Sequence, residues 1–262
     1  MPLIHHVVVG AGSPPIVLVH GLACGHTDWR AQVAHFSPRH MTVAVDLRGH
    51  GATPGTVGEC NIERYGVDLA DLMRVQSLPT AVVVGHSLGC RVVLEAALRA
   101  PEHVAGIVLV DGSRFGPGMT RAFEARFAAG EYLALARGLF EQMFTPRSDP
   151  ATTAAVLERA LSLPEDIGQA LLLSLVQYDV DKLESVLEET NKPLLVLQAT
   201  FVNQKRERAS MTPGQTTPYL DFIAAKVPSA RIEVLSDVGH FPQLDAPGET
   251  NRAIERFIAR LA

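Results

Sequence analysis

The stretch VVVGHSLGCRVV, Val82–Val93, sets a run of β-branched residues directly against a Gly-His-Ser-Leu-Gly turn and then a segment of helical character. An apolar run without polar alternation fits a strand covered on both faces, as in a parallel sheet. Glycines on either side of Ser87 permit a sharp strand-to-helix turn that lifts the serine hydroxyl above the sheet at a helix N-terminus. The pentapeptide alone is weak evidence. Between a buried strand and a helix it predicts an exposed nucleophile rather than a glycine-rich turn with an ordinary serine.

Working outward, HHVVVGAGSPPIVLVHG (5–21) holds two apolar runs around a Gly/Ser/Pro turn and reads as a hairpin. MTVAVDLRG (41–49) and AGIVLVDGS (105–113) are further continuous apolar runs, with helical spacing between them in NIERYGVDLADLMRVQS (61–77) and LGCRVVLEAALRAPEHV (88–104). This is βαβ alternation. From about Arg114 to Asn191 strand signals vanish, and 120–144 and 150–177 read as amphipathic helices. Sheet character returns in KPLLVLQATF (192–201) and ARIEVLSDVGH (230–240) before a final helix over 249–262. The expectation is an α/β fold with a mostly parallel central sheet of about eight strands flanked by helices. Residues 1–113 and 191–262 would form the core and 114–190 an inserted helical cap.

The 262 residues suffice for one sizeable core, and 47% hydrophobic with 19% charged residues argues against a disordered chain. A net charge of −5 offers no basic footprint for nucleic acid or an anionic bilayer, so a small-molecule partner fits better. Cys24, Cys60 and Cys90 are odd in number and lack metal-type spacing, which suggests neither a disulfide framework nor a zinc site. No basic region precedes a long apolar run near the start, and no stretch reads as a bilayer span, so a cytoplasmic setting is expected.

Four motifs, VHG (19–21), DLRGHG (46–51), GHSLG (85–89) and GHFPQLDAP (239–247), occur in an order and spacing that resembles the α/β-hydrolase superfamily, in particular its small esterase-like serine hydrolases with a helical cap. The resemblance spans nearly the whole chain and is specific for the fold, not for a substrate.

A serine hydroxyl is a poor nucleophile at neutral pH and needs an imidazole to take its proton. His240, in a Gly-His turn after the strand RIEVLSDV and after the serine in chain order, is the candidate, and the resemblance assigns it that position. His20 and His50 stand in scaffold motifs, His86 is expected beneath the turn, and His5, His6, His26, His35, His40 and His103 carry no site signature. Backbone N–H groups suit an oxyanion because they are fixed before reaction. Leu88, at the start of a helix, is one candidate donor. Leu22, after the first strand, is the second by resemblance.

The acid that would hold the imidazole is less direct. The resemblance puts it in the loop after PLLVLQATF, where this chain has Val202 and Asn203, and between Lys192 and Asp221 the only acid is Glu207, in a charged stretch with Lys205, Arg206 and Arg208 that reads as solvated. Asp111, at the end of the strand next to the nucleophile strand, is the other position from which a carboxylate can reach. Asp111 is therefore taken as the acid, with Asn203 and then Glu207 as alternatives. Asp237, three residues before His240, is read as a turn residue.

The insertion would leave at the carboxyl ends of the strands and roof the site. Its Phe123, Phe127, Leu135, Leu139, Phe140, Met143, Leu171, Leu172 and Leu175 either line an apolar pocket or pack as core. Cys24 and Cys90 read as small buried residues and Trp29 as packing a helix on the sheet. The resulting expectation is a carboxylesterase-like serine hydrolase acting on a small apolar ester-like substrate through an acyl-enzyme on Ser87, with no cofactor and no metal. Thioester, lactone or carbon–carbon bond hydrolysis is an alternative, as is a cofactor-free lyase or oxygenase or a non-hydrolytic ligand receptor on the same fold.

Overall fold

The computed structural model describes residues 3–203 and 205–261. The chain runs through β1 (His6–Val9), β2 (Ile16–Val19), α1 (Arg30–Phe36), β3 (Thr42–Val45), α2 (Ile62–Val75), β4 (Ala81–His86), α3 (Leu88–Arg99) and β5 (Val104–Val110). Five consecutive helices follow: α4 (Gly118–Ala128), α5 (Tyr132–Glu141), α6 (Pro150–Ser162), α7 (Glu165–Asp181) and α8 (Leu183–Glu189). It closes with β6 (Leu194–Gln198), β7 (Thr200–Val202), β8 (Arg208–Ser210), α9 (Pro218–Lys226), β9 (Arg231–Val234), α10 (Pro242–Asp245) and α11 (Pro247–Ile258). No helix among the described residues is long and apolar enough to cross a membrane.

The main sheet has seven strands, against about eight expected, in the order β1-β3-β2-β4-β5-β6-β9. Only β1 is antiparallel to its neighbour. Strand residues alternate between two cores, as side chains on a pleated strand must. Val17, Val83 and Leu109 face α2 and α3, whereas Ile16, Leu18, Val84 and Val108 pack with Trp29, Phe36, Ile254 and Phe257 on the other side. Burial on both faces is why these strands are continuous apolar runs in sequence.

The expected hairpin over 5–21 does not form. β3 lies between β1 and β2, pairing antiparallel with the first and parallel with the second. The Gly10–Pro15 link crosses the start of β3, with the Gly12 carbonyl accepting from Met41 N–H and Gly10 lying against the Ser37 and His40 carbonyls. A crossing of two strand spacings is roughly 10 Å, within easy reach of six residues.

The stretch read as one strand over 193–201 is likewise two. The Asp111 carboxylate takes the N–H groups of Ala199 and Thr200, both at 2.7 Å, which pulls the backbone out of the sheet after Gln198. The chain then forms a separate two-stranded ribbon, β7–β8.

Ion pairs from α6 and α7 help to fasten the helical segment between β5 and β6 to the core. Arg91 on α3 forms a bidentate pair with Asp179 on α7 at 2.9 and 2.6 Å, both side chains buried, and also reaches the Ser87 and Ser113 carbonyls. Arg159 on α6 grips both oxygens of Asp28 and the Ala23 carbonyl beside β2. Of the apolar residues weighed as pocket lining, Phe123, Leu135, Phe140, Leu171, Leu172 and Leu175 are in the core, whereas Phe127, Leu139 and Met143 are only partly buried.

Candidate active site

Ser87 follows β4 at the centre of the sheet and has φ 53° and ψ −113°, a conformation in which an L-residue is strained. The turn is this tight because the flanking residues lack side chains. A Cβ on Gly85 would stand 2.2 Å from the Gly89 carbonyl oxygen, and one on Gly89 would stand 2.6 Å from the Val19 carbonyl. Any larger residue at either position would push the serine off the helix start.

His240 Nε2 lies 2.9 Å from Ser87 Oγ, and its Nδ1 lies 2.6 Å from Asp111 Oδ2. The imidazole's main chain is held from both sides. Its N–H donates to the Met143 carbonyl at 2.7 Å, and its carbonyl accepts from His86 Nε2 at 2.7 Å. Asp111, at the end of β5 with φ 46°, is fully buried and accepts four hydrogen bonds: Ala199 and Thr200 N–H on Oδ1, Thr200 Oγ1 (2.5 Å) and His240 Nδ1 on Oδ2. Burial by itself would raise its proton affinity. The bond and charge of His240, the Arg208 cation and the Thr200 hydroxyl outweigh that and hold the carboxyl below its usual range. Since Asp111 is ionised and acceptor-only, His240 Nδ1 carries the proton and Nε2 presents a lone pair to the serine. Burial lowers the proton affinity of His240, the nearby Arg208 cation lowers it further, and Asp111 only partly restores it.

The other two acid candidates lie elsewhere. Asn203 shapes the β7–β8 turn, its Oδ1 accepting from Lys205 and Glu207 N–H, and Glu207 is exposed beside it. Asp237 occupies a left-handed turn at φ 59°. One neighbour of the imidazole departs from the sequence expectation. Arg208, read as part of a solvated charge run, is largely buried: its Nη1 lies 2.6 Å from Thr200 Oγ1, 3.3 Å from His240 Nδ1 and 3.6 Å from Asp111 Oδ2. Exposed Lys205, Arg206 and Glu207 directly precede it in sequence, so charge density there concealed the inward side chain.

The histidines assigned to scaffolding do hold loops. His20 Nε2 accepts from Leu47 N–H while Nδ1 donates to the Gly21 carbonyl, and His50 Nε2 accepts from Ala23 N–H while Nδ1 donates to the Arg48 carbonyl. Burial pushes His20 down to about 4 and His50 and His86 to about 3, so all three are neutral. His20 and His50 fix the HGLA loop beside the serine, where a Cβ on Gly21 would come within 3.1 Å of Ser87 Cβ. Leu22 follows Gly21 in that loop and Leu88 follows Ser87 as the first residue of α3, and N–H groups of a first helical turn have no partner inside the helix.

Cys24, Cys60 and Cys90 are buried free thiols, and burial pushes Cys90 up to about 12, which leaves it unreactive. Among the described residues, His5, His26 and Asp46 bring potential metal-ligand atoms within 4.8 Å of one another. Each imidazole Nδ1 is already hydrogen-bonded to the Asp46 carboxylate at 2.9 Å, and Asp46 also takes the His26 and Ala52 N–H groups. That group braces β1 and the loop after β2 onto the end of β3.

Residues 16–253 match the Alpha/beta hydrolase family, and the chain belongs to it. It is 27% identical over 259 residues to the dihydrolipoyllysine-residue acetyltransferase component of the acetoin cleaving system of Pseudomonas putida, covering 96% of this chain but only 65% of that protein. It is 26% identical over 259 residues to the esterase YbfF of Escherichia coli, covering 94% and 93% of the two chains. The enol-lactonase of Burkholderia xenovorans superposes with a TM-score of 0.80 at 22% identity over 98% of this chain and 96% of its own. Proteins named as an esterase and an enol-lactonase are thus among those whose sequences it resembles.

Proposed function

We propose that this α/β hydrolase cleaves the carboxylic ester of a small, mainly apolar substrate through an acyl-enzyme on Ser87. One observation carries the reading: an unbroken hydrogen-bonded relay from Ser87 Oγ through His240 to Asp111, at 2.9 and 2.6 Å, ending on a buried ionised carboxylate. As Oγ attacks the ester carbonyl carbon, its proton moves to His240 Nε2, and the resulting imidazolium is held by Asp111. The carbonyl oxygen, now an anion, is met by the backbone N–H groups of Leu22 and Leu88. Collapse expels the alcohol, which leaves with the proton from Nε2. Water, deprotonated by the same nitrogen, then attacks the acyl carbon and releases the acid and the free serine. Every step uses side chains and backbone of this chain alone, without a cofactor.

In this proposal residues 114–190 act as the cap over the serine. Their connection back to His240 through the Met143 carbonyl supports that role. Lactone hydrolysis requires the same steps without loss of the alcohol fragment, and the sequence likeness to an enol-lactonase supports it as a second substrate class. A set of p-nitrophenyl esters of graded acyl length, run beside Ser87→Ala, tests the reading. Hydrolysis that disappears in the variant, with fluorophosphonate labelling mapped to Ser87, supports it. Inactivity across the esters together with failure to label overturns it in favour of a ligand receptor or a non-hydrolytic enzyme.

A further inference from the structure

Among the described residues, Arg208 is the cation held against the polar end of the imidazole, 3.3 Å from Nδ1. Its position follows from the ribbon. β7 and β8 pair Val202 with Arg208 and Thr200 with Ser210, and the turn between them, shaped by Asn203, returns the chain so that Arg208 points back under Thr200. Its own N–H donates to the Gln142 side chain of the helical insertion, which ties this strand to the segment that also holds His240 N–H through Met143.

We propose that Arg208 is a positioning residue that biases His240 toward its neutral, proton-accepting form. This inference rests on the proposed role of His240 as base. The key is what the 3.3 Å contact between Arg208 Nη1 and His240 Nδ1 is not. Nδ1 already donates to Asp111 Oδ2 at 2.6 Å and so has no lone pair to accept a second bond. The alternative tautomer, with a bare Nδ1 accepting from Arg208, would set a lone pair against a carboxylate oxygen at 2.6 Å and protonate Nε2, which could then take nothing from Ser87. The contact is therefore a cation beside a ring with which it shares no hydrogen bond. It leaves neutral imidazole undisturbed and opposes imidazolium.

The same guanidinium acts on Asp111 in the other sense. It lies 3.6 Å from Oδ2 and donates to Thr200 Oγ1, which itself donates to that oxygen. Asp111 is kept ionised, yet its charge is shared between two cations whenever His240 is protonated. The charged or titratable groups around the ring are Asp111 after β5, Arg208 on β8, His86 at the end of β4 with ring centroids 4.8 Å apart, and Arg91 on α3, whose guanidinium donates to the Ser87 carbonyl. His86 is neutral, and Arg91 is matched by Asp179, so Arg208 is the group whose removal changes the balance. It also lines a cavity of about 390 Å³ with Gln142, Met143 and Arg147, so its outer edge meets solvent and the stem of a substitute has room.

The test is an NMR titration of the His240 ring, which needs no substrate, in the wild type, Arg208→Gln and Arg208→Lys, with the pH profile of kcat/KM on the best ester alongside. In the wild type His240 should titrate below the ordinary 6.5. In Arg208→Gln both the ring titration and the acid limb of the profile should move up by roughly one to two pH units, and Arg208→Lys should restore most of the shift. Arg208→Met, which keeps the stem and loses the charge, replaces the glutamine variant if that fails to fold. A wild-type ring that titrates at or above 6.5, or an unchanged titration in the folded uncharged variant, overturns the proposal. A low wild-type value that rises in the variant, with no hydrolysis of any ester, leaves Arg208 in this role and removes the esterase reading instead.

Discussion

Replacing Asp111 by Asn tests the acid with almost no change in shape. The amide oxygen can stay on the Oδ1 side, where Ala199 and Thr200 N–H converge. The amide NH2 then occupies the Oδ2 position, facing His240 Nδ1 at 2.6 Å. Two donors cannot share that distance, so Nδ1 gives up its proton and Nε2 acquires one. A protonated Nε2 donates to Ser87 Oγ instead of accepting from it, and the serine loses its base. No charge remains to hold the imidazolium either. The combined effect is a loss of about 10⁴ in kcat, equivalent to about 5 kcal/mol of transition-state stabilisation. KM should change little, because the substrate touches neither atom. The assay is steady-state hydrolysis of the best p-nitrophenyl ester, with circular dichroism to confirm that the fold persists. Asn203→Ala and Glu207→Gln, both remote from the ring, should stay within a few-fold of wild type. A loss of only a few-fold for Asp111→Asn, or a larger loss for Asn203→Ala, would refute the assignment.

Stability should fall with acid in a window set by the scaffold histidines. His20, His50 and His86 are held down to about 4, 3 and 3, whereas in the unfolded chain they protonate near 6.5, so below that pH the unfolded state binds more protons. The stabilisation is complete above about pH 6.5 and drains away as pH falls, by about 4 kcal/mol per unit where all three differ. Urea midpoints at pH 7, 6 and 5 measure it, and midpoints that do not move would contradict the buried neutral assignments. Arg91→Met should cost about 3–5 kcal/mol, because Asp179 would be left buried without its cation and the Ser87 carbonyl would lose a donor. Urea denaturation reads this directly, and a cost below about 1 kcal/mol would show that the pair does not fasten the helical segment.

Much of the fold was legible because its signals are local. Continuous apolar strands, intervening amphipathic helices and a helical stretch over 114–190 all appear where composition put them. The errors came where one strand had to choose a partner. β1 and β2 look like a hairpin from their turn residues, but turn chemistry says only that the chain bends, and the third strand entered between them. The run at 193–201 looks unbroken because Ala199 and Thr200 are strand-compatible residues. What ends the strand is a carboxylate from β5, invisible in that segment. Arg208 was concealed for a related reason, since a ribbon register decides which residue of a charged stretch points inward.

The sequence by itself determined the serine. Gly85 and Gly89 flank it because no Cβ fits the turn, and that is a steric relation among neighbours in the chain. It also determined His240, through a Gly-His turn at the end of the last strand. Which acid meets that imidazole, and which cation sits beside it, was decided only by the tertiary structure. Asp111 and His240 are 129 residues apart, and they meet because β5 lies beside β4 in the sheet and the chain after β9 folds back over their ends. Hydrogen bonds and charge interactions act over a few ångströms of space whatever the distance along the chain, so strand order, not residue order, selected Asp111 and Arg208.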